Sequence, residues 1–248
     1  MSNNRVVWLT ADDAPDAFPP VEQALAEPDG LLAAGGDLSV DRLLAAYRRG
    51  IFPWYDEGQP LLWWSPDPRC VFRRGDFHVS RRLRRALRRS GAELRFDTAF
   101  ADVVSACAGP RRHQHGTWIT NDMMRAYRNL HDGGWAHSIE VWQDGRLIGG
   151  LYGLLIGRAL FGESMFSAES NASKIALLYL DRLLDSGALG IVDCQVRSQH
   201  LMRLGASVIP RSQFAGYLDE LCESPRGPAF GSSSPIPVTE LLDGPRRT

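Results

Sequence analysis

The 248-residue chain is nearly devoid of lysine: Lys174 is the only one, and the other 27 of its 28 basic residues are arginines. It lacks any apolar run approaching the ~18 residues that a membrane span needs. Its start, Met1 to Trp8, lacks the long apolar segment of a secretion signal. A cytoplasmic location with no membrane partner is expected. The cysteines Cys70, Cys107, Cys194 and Cys222 form no C-x-x-C pair, and none has a histidine at zinc-ligand spacing. Buried, reduced thiols are expected. His113 and His115 sit beside Arg111 and Arg112 and read as a polar loop, so no metal is expected. There is no G-x-x-x-x-G-K-[ST] phosphate loop. Gly162-x-Ser164 runs on into Met165 and Phe166, so there is no G-x-S-x-G nucleophile elbow.

What is present is a globular composition, 44% hydrophobic and 23% charged, with net charge −1. The first third is rich in Pro, Gly and Trp. A helix over Val40–Arg49 is expected, capped after Asp37-Leu38-Ser39, carrying Leu43, Leu44 and Tyr47 on one stripe and stopped by Gly50. Prolines 53, 60, 66 and 68 forbid a regular helix beyond it. Trp54, Trp63 and Trp64 cluster there, as a small core or as a platform on which a base or ring stacks. A basic helix follows at Arg81–Arg89, capped by Ser80, with Leu83 and Leu87 turned inward. Its arginines, Arg81, Arg84 and Arg88 among them, form either a solvated face or a surface for a polyanion.

The middle of the chain predicts a strand Glu93–Phe96, a helix Thr98–Cys107 and a helix capped by Thr120 bearing Met123, Met124 and Tyr127. Strands are expected at Ala136–Trp142, Arg146–Leu155 and Arg158–Phe166, the first two joined by an Asp144-Gly145 turn. A helix Ala172–Leu184, a strand Leu189–Cys194, a helix Ser198–Arg203, a strand Ser207–Ile209 and a helix Ser212–Cys222 complete the reading. After Glu223 a loosely ordered Ser/Pro/Gly-rich tail is expected. This order implies an α+β fold with a mostly antiparallel sheet. It resembles the GCN5-related acyltransferase type, an analogy of fold alone. Such an enzyme acting on coenzyme A needs a Gly-rich turn after its central strand. Ser164 to Asn171 has no glycine there, so another acyl donor is expected and no cofactor.

Two strand ends carry polar groups. Glu163 stands among apolar residues in Phe161-Gly162-Glu163-Ser164, either bonded to its own loop or reading a cation. Gly162 allows close approach by another backbone or a substrate. Asp193 and Gln195, two apart, share a face. If the two strands are neighbours, three polar groups converge, and a carboxylate there can hold an amine and help it lose a proton. On residue type alone Asp193 could equally be a turn or cap. Lys174, where arginine has not replaced lysine, is assigned to a phosphate or carboxylate as a compact charge.

An ordered set of motifs then carries a specific resemblance: Gly30-Leu-Leu-Ala33, Gly35-Gly-Asp-Leu-Ser39, Gly50-Ile-Phe-Pro-Trp54, Trp63-Trp-Ser-Pro-Asp-Pro-Arg69, Gly116-Thr-Trp-Ile119, Ala136-His-Ser-Ile-Glu-Val-Trp142, Gly149-Gly-Leu-Tyr-Gly153, Gly162-Glu-Ser-Met-Phe-Ser167, Asn171-Ala-Ser-Lys174 and Asp193-Cys-Gln195. Together they resemble the leucyl/phenylalanyl-tRNA–protein transferase family. The resemblance implies a small N-terminal domain (1–69), an acyltransferase-like catalytic domain (70–223) and the tail (224–248). It implies transfer of Leu or Phe, with Met left open, from Leu-tRNA or Phe-tRNA to proteins beginning with Arg or Lys, which marks them for degradation by the N-end rule, by a monomeric enzyme. Trp54 and Trp118 match positions at the tRNA 3′ end, and Glu163, Asp193 and Gln195 match catalytic and acceptor-side positions. Leu151, Leu160, Leu180 and Leu184 stand where the family often has Met or Phe around the transferred side chain. Arg81, Arg84, Arg88 and Lys174 are assigned to the tRNA.

Overall fold

The structure, a computed structural model, describes residues 5–109, 119–223, 230–232 and 234–243. Its first third builds a four-stranded sheet from β1 (Val7–Leu9), β2 (Leu31–Gly35), β3 (Phe52–Pro53) and β4 (Leu62–Trp64), in the order β1-β2-β4-β3. Helix α1 (Val40–Arg48) lies between β2 and β3 in the chain. Ser39 caps it by accepting the Arg42 N–H, and Gly50, at φ +70°, turns the chain away after its last turn. Buried Arg42 pairs with Asp37 at 3.0 Å and donates to the carbonyls of Thr10, Asp13 and Ala14, fastening the preceding loop to α1.

The rest forms an eight-stranded sheet with helices on both faces. Its strands are β5 (Arg69–Phe72), β6 (Glu93–Phe96), β7 (Ala136–Gln143), β8 (Arg146–Ile156), β9 (Ala159–Ser167), β10 (Ile191–Gln195), β11 (Ser207–Ile209) and β12 (Ile236–Pro237). The order is β11-β5-β10-β9-β8-β7-β6-β12, antiparallel throughout except for the parallel pair β9–β10. The fold is α+β with a mostly antiparallel sheet, as the element order predicts. Helices α2 (Arg81–Arg88), α3 (Phe100–Ala108), α4 (Asn121–Asp132), α5 (Ala172–Ser186), α6 (Gln199–Arg203), α7 (Arg211–Leu221) and α8 (Val238–Asp243) complete it. Alternation along the strands divides the core. Tyr152, Leu154 and Phe161 join the α3 and α4 side, while Leu151, Leu155 and Leu160 join the α5 side.

Three local differences from the sequence reading have physical causes. Helix α3 starts at Phe100 rather than Thr98, because buried Glu140 takes the Thr98 hydroxyl and the Ala99 N–H and holds both outside the helix. The proline-rich first third still pairs strands, of two to five residues, too short to show a period. The tail is not loose between Ile236 and Asp243: β12 extends the sheet against β6, and α8 buries Val238, Leu241 and Leu242. The Asp144-Gly145 turn forms as read, both residues at positive φ.

Strand irregularities then open the sheet at one point. Along β8–β9, Gly153 faces Gly162 and Tyr152 faces Ser164, so Glu163 is the extra residue of a bulge. Along β5–β10, Val71 faces Asp193 and Cys70 faces Gln195, so Cys194 is the extra residue of a second. The parallel pairing of β9 with β10 ends at Phe161↔Asp193, and both bulges lie just beyond. A side chain at Gly153 would meet the Phe161 carbonyl oxygen at 2.3 Å, which keeps that bulge tight. Gly153→Ala is expected to lower unfolding free energy by about 1–3 kcal/mol or more by forcing β8 from β9, read as a lowered urea midpoint at unchanged slope.

Candidate active site

Where β9 and β10 part, a cavity of about 200 Å³ opens. Its apolar wall includes Leu151, Met165, Leu177, Leu180, Val192 and Leu201, and its polar edge includes Glu163, Ser164 and Asp193. Gly162 also lines it, and a side chain there would press on the Asp193 carbonyl at 3.3 Å. Of the leucines expected around a transferred side chain, Leu151 and Leu180 face the cavity, whereas Leu160 and Leu184 lie behind it in the core. Leu160 points from its strand to the α5 side, one residue short of where the strands part. Leu177, on the expected helix Ala172–Leu184, and Leu201, on the expected helix Ser198–Arg203, were not read as cavity residues.

Glu163 is buried and held by three polar contacts. Tyr47 Oη lies 2.7 Å from Oε1, Tyr127 Oη 2.6 Å from Oε2 and Gln195 Nε2 2.9 Å from Oε1. Both phenols sit on buried helix stripes, Tyr47 on α1 and Tyr127 on α4. Both were legible as core, and a phenol in a core stripe implies a buried polar partner. Burial is the chief cause that raises the Glu163 pKa to about 7, with Asp193 adding to it, while the two tyrosines and Arg69 act the other way. Burial and then Glu163 push both phenols well above their ordinary range.

Asp193 is fully buried, and its carboxylate is bound by Arg69. Arg69 Nε and Nη2 reach its two oxygens at 2.8 and 2.7 Å, a bidentate pair, and the Gln195 N–H donates to Oδ1 at 2.8 Å. The guanidinium also donates to the Gly50 carbonyl at 3.0 Å and lies 4.8 Å from the ring centres of both Phe52 and Phe214. With its lone pairs so engaged, the Asp193 carboxylate is linked to Glu163 through Gln195. Gln195 sits at φ +60°, a strained left-handed conformation that the Asp193 contact and the Glu163 contact hold from either end. The structure brings Glu163, Asp193 and Gln195 together, a convergence that the sequence reading made conditional on neighbouring strands, and it adds Arg69, Tyr47 and Tyr127 as partners the reading missed. An arginine in a proline-rich loop gives no sign of burial.

The remaining expected site residues are dispersed. Trp54 is 42% exposed and tilted against Trp64, whose Nε1 donates to the Trp54 carbonyl; Trp63 is wholly buried. The cluster thus supplies both a core residue and an exposed ring. Trp118, His113 and His115 lie outside the described residues. Lys174 donates to Asn171 Oδ1 at 2.8 Å at the start of α5. Burial, then Lys174 and Arg203, hold His200 below its ordinary pKa, which marks a locally positive region. On α2, Arg81 is exposed, but Arg84 donates to the Leu242 carbonyl and Arg88 pairs with Asp243, both at 2.7 Å. The one-sign helix therefore has an internal use that the sequence did not show: it holds the end of α8. Among the described residues no cluster of potential metal ligands occurs, and no helix is long and apolar enough to cross a membrane.

Residues 71–219 match the family model described as leucyl/phenylalanyl-tRNA protein transferase, and residues 36–67 match that described as its N-terminal domain. A leucyl/phenylalanyl-tRNA–protein transferase from Azoarcus sp. is 56% identical over 214 residues, 86% of this chain and 90% of that protein. One from Aromatoleum aromaticum is 56% identical over 223 residues, 90% of this chain and 93% of that protein. A GCN5-related N-acetyltransferase from Kribbella flavida superposes at a TM-score of 0.37 and 10% identity, over 65% of this chain and 57% of that one, too weak a likeness to carry an argument.

The Arg69–Asp193 pair is open to a direct test. Arg69→Met strands a buried carboxylate and should cost about 3–5 kcal/mol of stability. Arg69→Met with Asp193→Leu should recover much of that loss. Equal urea midpoints for the single and double variants would show that the charge pairing is not what the fold depends on.

Proposed function

Since the chain belongs to the leucyl/phenylalanyl-tRNA–protein transferase family and is an aminoacyltransferase, we propose that it moves Leu or Phe from Leu-tRNA or Phe-tRNA to the α-amine of cytoplasmic proteins beginning with Arg or Lys, marking them for N-end rule degradation. The observation that carries this reading is the apolar cavity with a buried carboxyl group at its edge and a primary amide hydrogen-bonded to that group, where β9 and β10 part. The apolar wall accepts the transferred side chain, with Leu151 and Leu180 in contact and Leu160 and Leu184 in support.

An aminoacyl ester is already activated, so the enzyme's work is positioning and charge stabilisation. The α-amine nitrogen attacks the ester carbonyl, the new C–N bond forms, and the bond to the ribose oxygen breaks. The nitrogen loses a proton and the ribose oxygen gains one. A free α-amine has a pKa of ~7.7–8, so a usable neutral fraction exists near neutrality. Gln195 orients the amine, and Asp193 is a positioning residue that fixes the Gln195 backbone. Glu163 contacts the basic first side chain of the acceptor. Trp54 and Trp118 stack at the tRNA 3′ end, and Arg81, Arg84, Arg88 and Lys174 meet its phosphates.

Glu163→Gln is expected to raise KM for peptides beginning with Arg by about 10-fold or more, the worth of a hydrogen bond to a charged group, and to affect a peptide beginning with Ala much less. Gln195→Ala should instead lower kcat for both peptides. Steady-state transfer from Phe-tRNA measures this; equal loss on both peptides in the Glu163 variant would refute the acceptor contact. The exposed ring of Trp54 makes a second test clean. Trp54→Ala should keep the thermal midpoint while weakening Phe-tRNA binding by the ~1–3 kcal/mol of one base stack, and unchanged affinity would remove the stacking role.

A further inference from the structure

The oxygen atoms at the centre of the site cannot all be satisfied by an anion. Glu163 Oε1 and Tyr47 Oη are 2.7 Å apart, Glu163 Oε2 and Tyr127 Oη are 2.6 Å apart, and the two phenol oxygens are themselves 2.6 Å apart. Each contact this short requires a hydrogen between the oxygens. Two phenols supply two hydrogens, and a carboxylate supplies none. An ionised Glu163 would therefore leave one pair of oxygens facing each other, lone pair to lone pair, in a buried site. A carboxylic acid supplies the third hydrogen. Gln195 Nε2 already donates to Oε1, so the acid proton belongs on Oε2. The ring then closes in one sense: Oε2–H donates to Tyr127, Tyr127 donates to Tyr47, and Tyr47 donates to Oε1.

We propose that in the empty site Glu163 is a neutral carboxylic acid, closing a ring of three O–H···O hydrogen bonds with Tyr47 and Tyr127, and that the cationic first residue of an acceptor expels its proton to the surrounding buffer. The second half rests on the acceptor contact proposed for Glu163; the first half does not. The surroundings agree. Burial is the main cause raising the Glu163 pKa to about 7, and Asp193 on β10 adds to it. Arg69 on β5 favours the charged form, but its guanidinium is already shared with Asp193. Tyr152 on β8 packs edge-on against Tyr127, with ring centres 5.3 Å apart, and burial above all keeps both phenols of the ring in their neutral form. An arriving cation inverts this balance, because an opposite charge beside a buried carboxyl group favours its ionised form. The ring is thus a site that stays uncharged until the charge it recognises is present. Tyr47 and Tyr127 are positioning residues, acting on the acceptor through Glu163.

The test reads protonation directly. Infrared difference spectra of the full-length protein without substrate, wild type minus Glu163→Gln, are expected to show a protonated carboxyl stretch at about pH 6 that converts to carboxylate as the pH rises through the carboxyl pKa. Tyr127→Phe, which removes the group that Oε2–H donates to, should shift that stretch, a response that loss of packing alone does not produce. Calorimetric titration with a peptide beginning with Arg, in two buffers of different ionisation heat at about pH 6, should release about one proton from wild type and none from Glu163→Gln. A carboxylate signature alone at that pH overturns the ring. A protonated stretch with no proton release on Arg-peptide binding overturns the expulsion step. A protonated stretch in a protein that neither binds nor aminoacylates the peptide supports the ring and defeats the acceptor reading instead.

Discussion

The bidentate pair between Arg69 and Asp193 is the contact on which the site's geometry turns. Both partners are sealed from water, so each loses a hydration shell that the pairing must offset. The offset comes from completeness. Arg69 also binds the Gly50 carbonyl and lies between two phenylalanine rings, and Asp193 also accepts the Gln195 N–H. These contacts join five segments: the loop after α1, β3, the start of β5, the end of β10 and helix α7. Without them only the Glu163 contact holds Gln195 in its left-handed conformation, and the bulge at Cys194 could relax into regular pairing. The pair thus acts less as a source of stability than as a device that fixes one arrangement of two strands that have stopped bonding to each other.

The site is also shared between the small sheet's helix and the large sheet. Tyr47 comes from α1, Tyr127 from α4, Glu163 from the β9 bulge and Gln195 from the β10 end. Because hydrogen bonds of 2.6 to 2.9 Å join them, a shift of α1 against the sheet would be felt at the carboxyl group. That dependence explains why Gly50, Arg42 and the Ser39 cap, all remote from the cavity, bear on its chemistry: each fixes where α1 ends and therefore where Tyr47 points.

Legibility in the sequence followed the range of the interaction. Caps and periodic stripes act within a few residues, and Ser39, Ser80 and Thr120 each cap the helix expected of them. The strands of the β7–β9 meander were placed to within a residue or two, because alternation and an Asp-Gly turn are local signals. Contacts spanning a hundred residues left no such mark. Arg69 meets Asp193 across 124 positions, and Tyr47 meets Glu163 across 116. The polar trio was legible because an acidic or amide residue ending an apolar strand is anomalous by itself; its partners were not, because a tyrosine in a helix stripe or an arginine after proline is ordinary. The same limit applies to α2, whose arginines hold α8 through a contact 158 residues away.

One group at the cavity shows what the site suppresses. Cys194 lines it between Asp193 and Gln195, and a thiol there could in principle take the ester's acyl group in place of an amine. The neighbouring Cys70 thiol, followed by burial, raises its pKa well above the ordinary range. The thiolate, not the thiol, is the nucleophile, so at neutral pH Cys194 is held in its inert form. The bulge that brings it to the cavity wall therefore adds surface without adding a competing reaction. The phenols are raised in the same way. On the proposed reaction, the nucleophile best able to attack near neutrality is the amine the acceptor brings, and the burial that helps disarm Cys194 and the phenols also keeps Glu163 uncharged until a cation arrives.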